Sequence, residues 1–281
     1  MCKSIFRMGS MKNANAETSF NNRSRMSFAG MLFLAAALVV ALPAARAQAS
    51  DAKSILKSMS DYVSRQKTIE FTFDSDIEVI TPQREKIQFT NSGNVLLSRP
   101  NKLRAHRVGG YADVTLYFDG KTATVLGKHI NRYAQFDAPG TLDQLLEALR
   151  VGHGVALPGA DLFFSNPYEV LVADVKEAKH IGRGVIDGVE CEHLAFRNDE
   201  TDWQLWVELG KRPIPRKLVI TSKTIDNAPQ YTLRIRGWKS GVTPARNAFA
   251  FTRPAGAEKM GADELITFDE LPPETPPGGK K

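Results

Sequence analysis

The side chains able to carry chemistry are few and scattered. Cys191 and His193 stand two residues apart in the alternating run Val189 to Phe196. A strand there turns both to one face, where they could share a proton or hold a metal. No third or fourth ligand stands near them. The five histidines, His106, His129, His153, His180 and His193, show no metal-site spacing. The expectation is no metal and no cofactor, with Cys191 acting as a small buried hydrophobe. Asp74, Asp76, Asp199, Glu200 and Asp202 fall at strand faces or turns, where solvation explains them, and carboxylates alone specify no reaction. The chain contains no nucleophile elbow, zinc-protease helix, phosphate loop or dinucleotide glycine pattern. A protein that is not an enzyme and has no catalytic residue is therefore expected. Trp203, Trp206 and Trp238 lie in strand patterns, where packing explains aromatics better than stacking on a sugar or base.

The N-terminal segment sets the compartment. Arg23 and Arg25 precede an apolar stretch from Phe28 to Leu42, and Ala45-Arg46-Ala47 closes it. These are the three parts of a secretory signal peptide, and cleavage is expected after Ala47, with Ala49 as the alternative. The apolar run is shorter than a membrane helix needs and ends at Pro43, so it reads as a removed address and no stable membrane anchor. Gln48 and Ser50, where a lipid-anchored product needs cysteine, point the same way. The expected product is soluble and periplasmic. The full chain has a net charge of +6. Residues 1–47 hold six bases (Lys3, Arg7, Lys12, Arg23, Arg25, Arg46) against Glu17, so 31 bases and 30 acids remain after cleavage. That balance excludes a nucleic-acid partner on electrostatic grounds. Cys2 leaves with the address, and Cys191, left alone, cannot form an internal disulfide.

The positioning elements follow from periodicity. Ala52, Ile55, Leu56, Met59, Tyr62 and Val63 recur at helical spacing, with Ser50 or Asp51 as the cap. The period then becomes two. Strands are predicted over 69–79, 87–97, 103–108, 114–118, 122–126 and 130–136, with a hairpin signal at Asp119-Gly120. A helix over 141–149 has a capping box at Thr141 and Gln144, and a third helix follows Asn166, Pro167 and Glu169. Strands return over 189–196, 203–209, 216–221 and 231–238, with a short closing strand over 249–252. One domain spans 48–260. Residues 261–281, which end in Pro, Gly and Lys pairs, are predicted to be a disordered tail.

A long antiparallel sheet has one face to cover, and this chain supplies only short helices for the purpose. If the sheet curls, Phe71, Phe73, Phe89, Leu97, Leu116, Phe118, Leu205, Val207, Leu233 and Ile235 line a concave apolar trough. Leu142, Leu145, Leu146 and Leu149 form the lid. A buried methylene is worth about 0.8 kcal/mol, so a sixteen-carbon acyl chain would gain roughly 12 kcal/mol gross before ordering costs. The other possibility at this stage is a core closed by the chain's own residues.

Gly188-Val189-Glu190-Cys191-Glu192-His193-Leu194-Ala195-Phe196, Asp202-Trp203-Gln204-Leu205-Trp206-Val207 and Pro213-Ile214-Pro215-Arg216-Lys217-Leu218-Val219-Ile220-Thr221 resemble a group of predicted periplasmic proteins of unknown function. Arg99-Pro100-Asn101-Lys102-Leu103-Arg104, the Phe118-Asp119-Gly120-Lys121 turn and Phe249 to Ala257 fit the same group. That group in turn resembles the lipoprotein-carrier (LolA/LolB-like) superfamily. The resemblance covers about residues 50–260. It implies a mainly β fold with some helix, in which a strongly curved, unclosed antiparallel half-barrel encloses a few helices. It carries over no catalytic residue, since the motifs sit at turns and strand cores. The function expected is a periplasmic carrier-like protein that holds a lipophilic ligand, the acyl chains of a lipid or lipoprotein. The alternative is a non-catalytic interaction or sensor module that receives an envelope protein on the same surface.

Overall fold

A computed structural model describes residues 51–268. The expected signal peptide over 1–47 and residues 269–281 of the expected tail lie outside the described residues. An α-helix, α1 (51–65), buries Ala52, Leu56, Met59 and Val63 along one stripe. The spacing of these four residues places them on one side of a helix. Six strands follow: β1 (Thr68–Ile80), β2 (Lys86–Ser98), β3 (Lys102–Gly109), β4 (Asp113–Phe118), β5 (Thr122–Gly127) and β6 (Arg132–Asp137). Helices α2 (Leu142–Glu147) and α3 (Pro167–Val172) come next. Then come β7 (Glu177–Ile186), β8 (Val189–Arg197), β9 (Thr201–Glu208), β10 (Pro215–Ser222), β11 (Gln230–Ser240) and β12 (Glu258–Met260).

All twelve strands belong to one sheet, in the order β12-β6-β5-β4-β3-β2-β1-β11-β10-β9-β8-β7. Its two halves are meanders joined where β1 pairs with β11, and β12 alone runs parallel to its neighbour. The end strands β12 and β7 do not pair with each other, so the sheet is not closed into a barrel. Turn chemistry matches the sequence at Asp119, whose carboxylate accepts from the backbone N–H groups of Lys121 and Thr122, both at 2.9 Å. Asp187 and Gly188 take φ of 49° and 80° in the β7–β8 turn, the left-handed pair that a tight hairpin requires. Asp187 also reaches across β9 and β10 to accept from Arg236 Nε of β11 at 2.9 Å.

Three sequence expectations are corrected. Residues 249–252 are turn and coil, and the closing strand is β12, nine residues later in the chain. β7 has no counterpart among the strands predicted above, because Gly182 and Gly184 and a bulge between His180 and Gly182 break its alternation. Residues 261–268 are ordered: a 3-10 turn over Ala262–Thr267 buries Leu265, and Phe268 is buried beyond it. Phe268 finds room because Gly127 has no side chain, and a Cβ there would lie 2.3 Å from the phenyl ring. The Thr141–Gln144 capping box is present. Asn166, by contrast, makes no side-chain cap, and the residue before it, Ser165, donates its backbone N–H to Asp143 Oδ1 at 3.0 Å.

Candidate functional site: the apolar face of the sheet

Strand register decides which side chains share a face. Phe73 pairs with Ile235 and Ile69 with Leu97, while Leu97 pairs with Leu103 and Leu103 with Phe118. Leu116 pairs with Ala105, which pairs with Val95, opposite Phe71. In the other half, Leu233 pairs with Leu218 and Leu218 with Leu205. Phe89 lies opposite Ile77. Since alternate residues point to the same side, all ten trough residues, Phe71, Phe73, Phe89, Leu97, Leu116, Phe118, Leu205, Val207, Leu233 and Ile235, lie on one inner face.

That face is not uniformly covered. Phe71, Leu97, Phe118, Leu205, Val207, Leu233 and Ile235 are buried, packed in one core with α1 and the segment between β6 and β7. These seven are sealed beneath the chain's own helices. Phe73, Phe89 and Leu116 are only half-buried, as are Val95, Ala105 and Val114 beside them. The closed part lies toward the turns 99–101 and 119–121. The half-buried, open part is confined to β1 to β4 and extends toward the turns 81–85 and 110–112, whereas Ile77 of β1 and Tyr231, Ile220 and Trp203 of β11, β10 and β9 are buried at that same end. Phe73 forms the floor of the open part. Its ring lies over Gly93, where a Cβ would come within 2.5 Å of the phenyl tip.

The lid is the segment from α2 to α3. Leu142, Leu145, Leu146 and Leu149 are all buried, and α2 runs on into a π-helical turn over Ala148–Gly152. A 3-10 turn over Ala160–Phe163 then lays Phe163 on Phe71, with ring centroids 5.0 Å apart and planes at 13°. At Gly159 a Cβ would sit 2.8 Å from Leu233, so only glycine lets the backbone come this close to β11. Polar ties hold the segment down. Leu142 N–H donates to Pro100 O at 2.8 Å, Arg99 Nη2 donates to Phe163 O at 2.9 Å, and Ser165 Oγ bonds Asp143. Burial pushes the Arg99 guanidinium below its ordinary pKa, with Asp143 acting in the opposite sense. Arg150 Nη2 donates to Asp161 Oδ1 at 2.8 Å, and that carboxylate is only 2% exposed.

The Cys191–His193 dyad does not form. Cys191 donates weakly to Val189 O at 3.4 Å, and burial raises its thiol pKa. His193 Nε2 bonds Gln204 Oε1 at 2.9 Å, and its ring stacks on Trp206 at 4.1 Å. Among the described residues there is no group of three or more His, Cys, Asp or Glu placed to hold a metal ion. Trp203 is buried against Phe196, and Trp238 stacks near Phe71 and Phe163. Trp206 lies on the outer face, with Lys217 Nζ 4.8 Å from its ring centre. All three tryptophans thus have neighbours from the chain itself. Sequence reasoning missed Val95 and Val114, which the strand alternation marks, and Arg107. Arg107 is a charged residue on the inner side that donates to Phe268 O at 3.0 Å, and no local pattern announces it. No helix among the described residues is long and apolar enough to cross a membrane.

A family model described as predicted periplasmic protein (DUF2092) matches residues 52–261. No curated protein matches. Among solved structures, the chain is similar to an uncharacterized conserved protein from Thermus thermophilus, at 10% identity over 75% of this chain and 99% of that one, with a TM-score of 0.46. It is similar to the MucA/MucB complex structure of Pseudomonas aeruginosa at 12% identity, over 72% and 61% of the two chains, TM-score 0.38. It is also similar to a LolA superfamily protein from Nitrosomonas europaea at 13% identity, over 71% and 97%, TM-score 0.33.

Proposed function

From the premise that this chain belongs to the family of predicted periplasmic proteins (DUF2092), we propose that it is a soluble, non-catalytic carrier that holds an acyl chain against the open part of its inner face. One observation carries the reading: the chain's own core leaves a patch of the inner face on β1 to β4 incompletely covered. Phe73, Phe89 and Leu116 stay half-buried there, although the register places them in line with fully buried residues. A methylene that moves from water onto these side chains gains about 0.8 kcal/mol when fully buried, so a chain of moderate length can bind without a directional contact. The lid leucines have no free surface to offer a ligand. Their role is to close the neighbouring part and give the site a floor.

A naturally fluorescent polyene fatty acid tests the proposal. Its emission should rise and saturate with the wild-type protein. Leu116→Glu, which puts a charge in the open part, should weaken uptake about tenfold or more, whereas Val185→Glu on the sheet edge should not. No saturable rise with the wild type, or equal uptake by all three proteins, would overturn it. Stoichiometric capture of a polypeptide with no lipid would favour the interaction-module alternative.

A further inference from the structure

The described chain ends on the inner face of the sheet. Phe268 lies against Gly127 of β5, and its carbonyl oxygen accepts from Arg107 Nη2 of β3 at 3.0 Å. Strand register sets Gly127 opposite Val114, Val114 opposite Arg107, Arg107 opposite Gly93 and Gly93 opposite Phe73. Directly opposed residues share a face, so this row leads from the seat of Phe268 to the floor of the half-buried patch. The peptide bond that leaves Phe268 therefore starts at the border of the patch.

Toward the turn 81–85 the next row is polar. Ser75 pairs with Asn91 and Asn91 with Gly109, and both polar side chains are buried, with Phe73 in the row on one side and Phe89 in the row on the other. Ser75 Oγ has no hydrogen-bond partner among the described residues. A buried hydroxyl without a partner is costly. An acyl chain leaves that cost in place, whereas a peptide carbonyl relieves it. Arg107, Asn91 and Ser75 thus mark a diagonal polar track from β3 to β1, and it begins where the described chain stops.

The sequence beyond Phe268 suits this track. Asp269-Glu270-Leu271-Pro272-Pro273-Glu274 opens with two acids, directly after the residue whose carbonyl Arg107 holds. Leu271 is the one leucine among the thirteen residues over 269–281. The proline pair after it favours an extended backbone whose carbonyls stay available as acceptors. The reach is sufficient. Strands lie about 4.8 Å apart, so β5 to β1 is about 19 Å, and at about 3.1 Å per extended residue about six residues span it.

We infer that residues 269–274 of this chain seat along Arg107, Asn91 and Ser75 and cover the half-buried patch between Phe73 and Phe89, as an internal occupant that an acyl chain must displace. The seating stands on the fold alone; the displacement rests on the carrier reading.

Cleavage by a glutamyl endopeptidase after Glu270 and Glu274, followed by intact mass and divided by the rate for a free peptide of residues 266–281, tests the seating. Cleavage of a docked segment tracks the fraction of time it is released. The wild-type chain should be protected about tenfold or more relative to the peptide, by a factor that does not change with protein concentration. Arg107→Gln removes the cation that holds the start of the segment, and Leu271→Ser removes its apolar anchor without touching the described core. Each should bring cleavage close to the peptide rate, whereas Val185→Ser on the β7 edge should leave protection as in the wild type. Circular dichroism melts would establish that every variant is folded. Wild-type cleavage at the peptide rate, or protection unchanged in both Arg107→Gln and Leu271→Ser, would overturn the inference. Protection that grows with protein concentration would also overturn it, since the segment would then be seated on a second copy. Uptake of the polyene fatty acid separates this inference from the carrier reading. With both in force, Leu271→Ser binds the fatty acid more tightly than the wild type, and the fatty acid speeds cleavage of the wild type. Protection without uptake keeps the seated segment and discards the carrier reading; uptake with cleavage at the peptide rate does the reverse.

Discussion

Arg150→Met should loosen the lid more than its position on a short turn suggests. Asp161 sits on the 3-10 turn Ala160–Phe163 with its side chain 2% exposed, and Arg150 Nη2, at 2.8 Å, supplies its cation. Arg150 itself is 24% exposed and lies over the Phe164 ring, 5.8 Å from its centre. Breaking a buried pair from one side strands the remaining charge at a cost of about 3–5 kcal/mol. Because Arg150 keeps some contact with water, the lower end applies, about 3 kcal/mol. Methionine retains most of the aliphatic packing, so the loss reports the charge. In a domain of this size about 3 kcal/mol lowers the melting temperature by about 6–12 °C. Asp161→Asn in the Arg150→Met background removes the stranded charge and should recover more than half of the loss. Thermal melts of the two single variants and the double variant give the coupling between the residues. Hydrogen exchange should accelerate over 148–164 before it does in β9 and β10. Strictly additive single effects, or a loss below about 1 kcal/mol for Arg150→Met, would refute this role for the Arg150–Asp161 pair.

Cys191 should resist iodoacetamide at mildly alkaline pH and react only once the protein unfolds, because burial holds the thiol above its ordinary pKa; rapid alkylation of the native protein would contradict this. Gly93→Ala should destabilise by about 1–3 kcal/mol, since its Cβ would lie 2.2 Å from His106 O and 2.5 Å from Phe73; a melt unchanged from wild type would show that β2 and β3 part easily. The hydrogen bond from Arg236, followed in size by the opposing effect of partial burial, leaves the Asp187 pKa below its ordinary value. Its stabilisation is therefore present above the unfolded-state pKa, about 4, and is lost as pH falls through the lower folded-state value. Asp187→Asn should cost less than about 1 kcal/mol at neutral pH, as the site is mostly exposed, and should flatten the stability profile below about pH 4; an unaltered acid limb would refute the assignment.

Much of the sheet is legible because its strands obey a period of two and its turns carry Asp-Gly. Phe73, Leu233 and Leu205 fall on one face for the simple reason that alternation and antiparallel register agree. β7 escapes because its inner positions include His180 and its outer positions Gly182 and Gly184, which leaves no apolar stripe to read. β12 is three residues long and parallel to β6, so it is a tertiary event with no local signature. Leu265 and Phe268 fall in the expected tail because the Pro- and Gly-rich end that follows them is too poor in apolar residues to pack, yet Gly127 supplies a ready-made seat for the phenyl ring. The trough is legible as a face, but the extent of its cover is not. Which of its residues are sealed depends on where the lid lands, and that is fixed by Gly159 against Leu233 and by Phe163 on Phe71.

The central claim is that part of the inner face is left for a hydrocarbon guest. Native mass spectrometry of protein purified from the periplasm without detergent, before and after organic extraction, addresses it directly. The account predicts an added mass equal to one lipid or fatty acid, removed by extraction and recovered in the organic phase. The same bare polypeptide mass in both samples would contradict it.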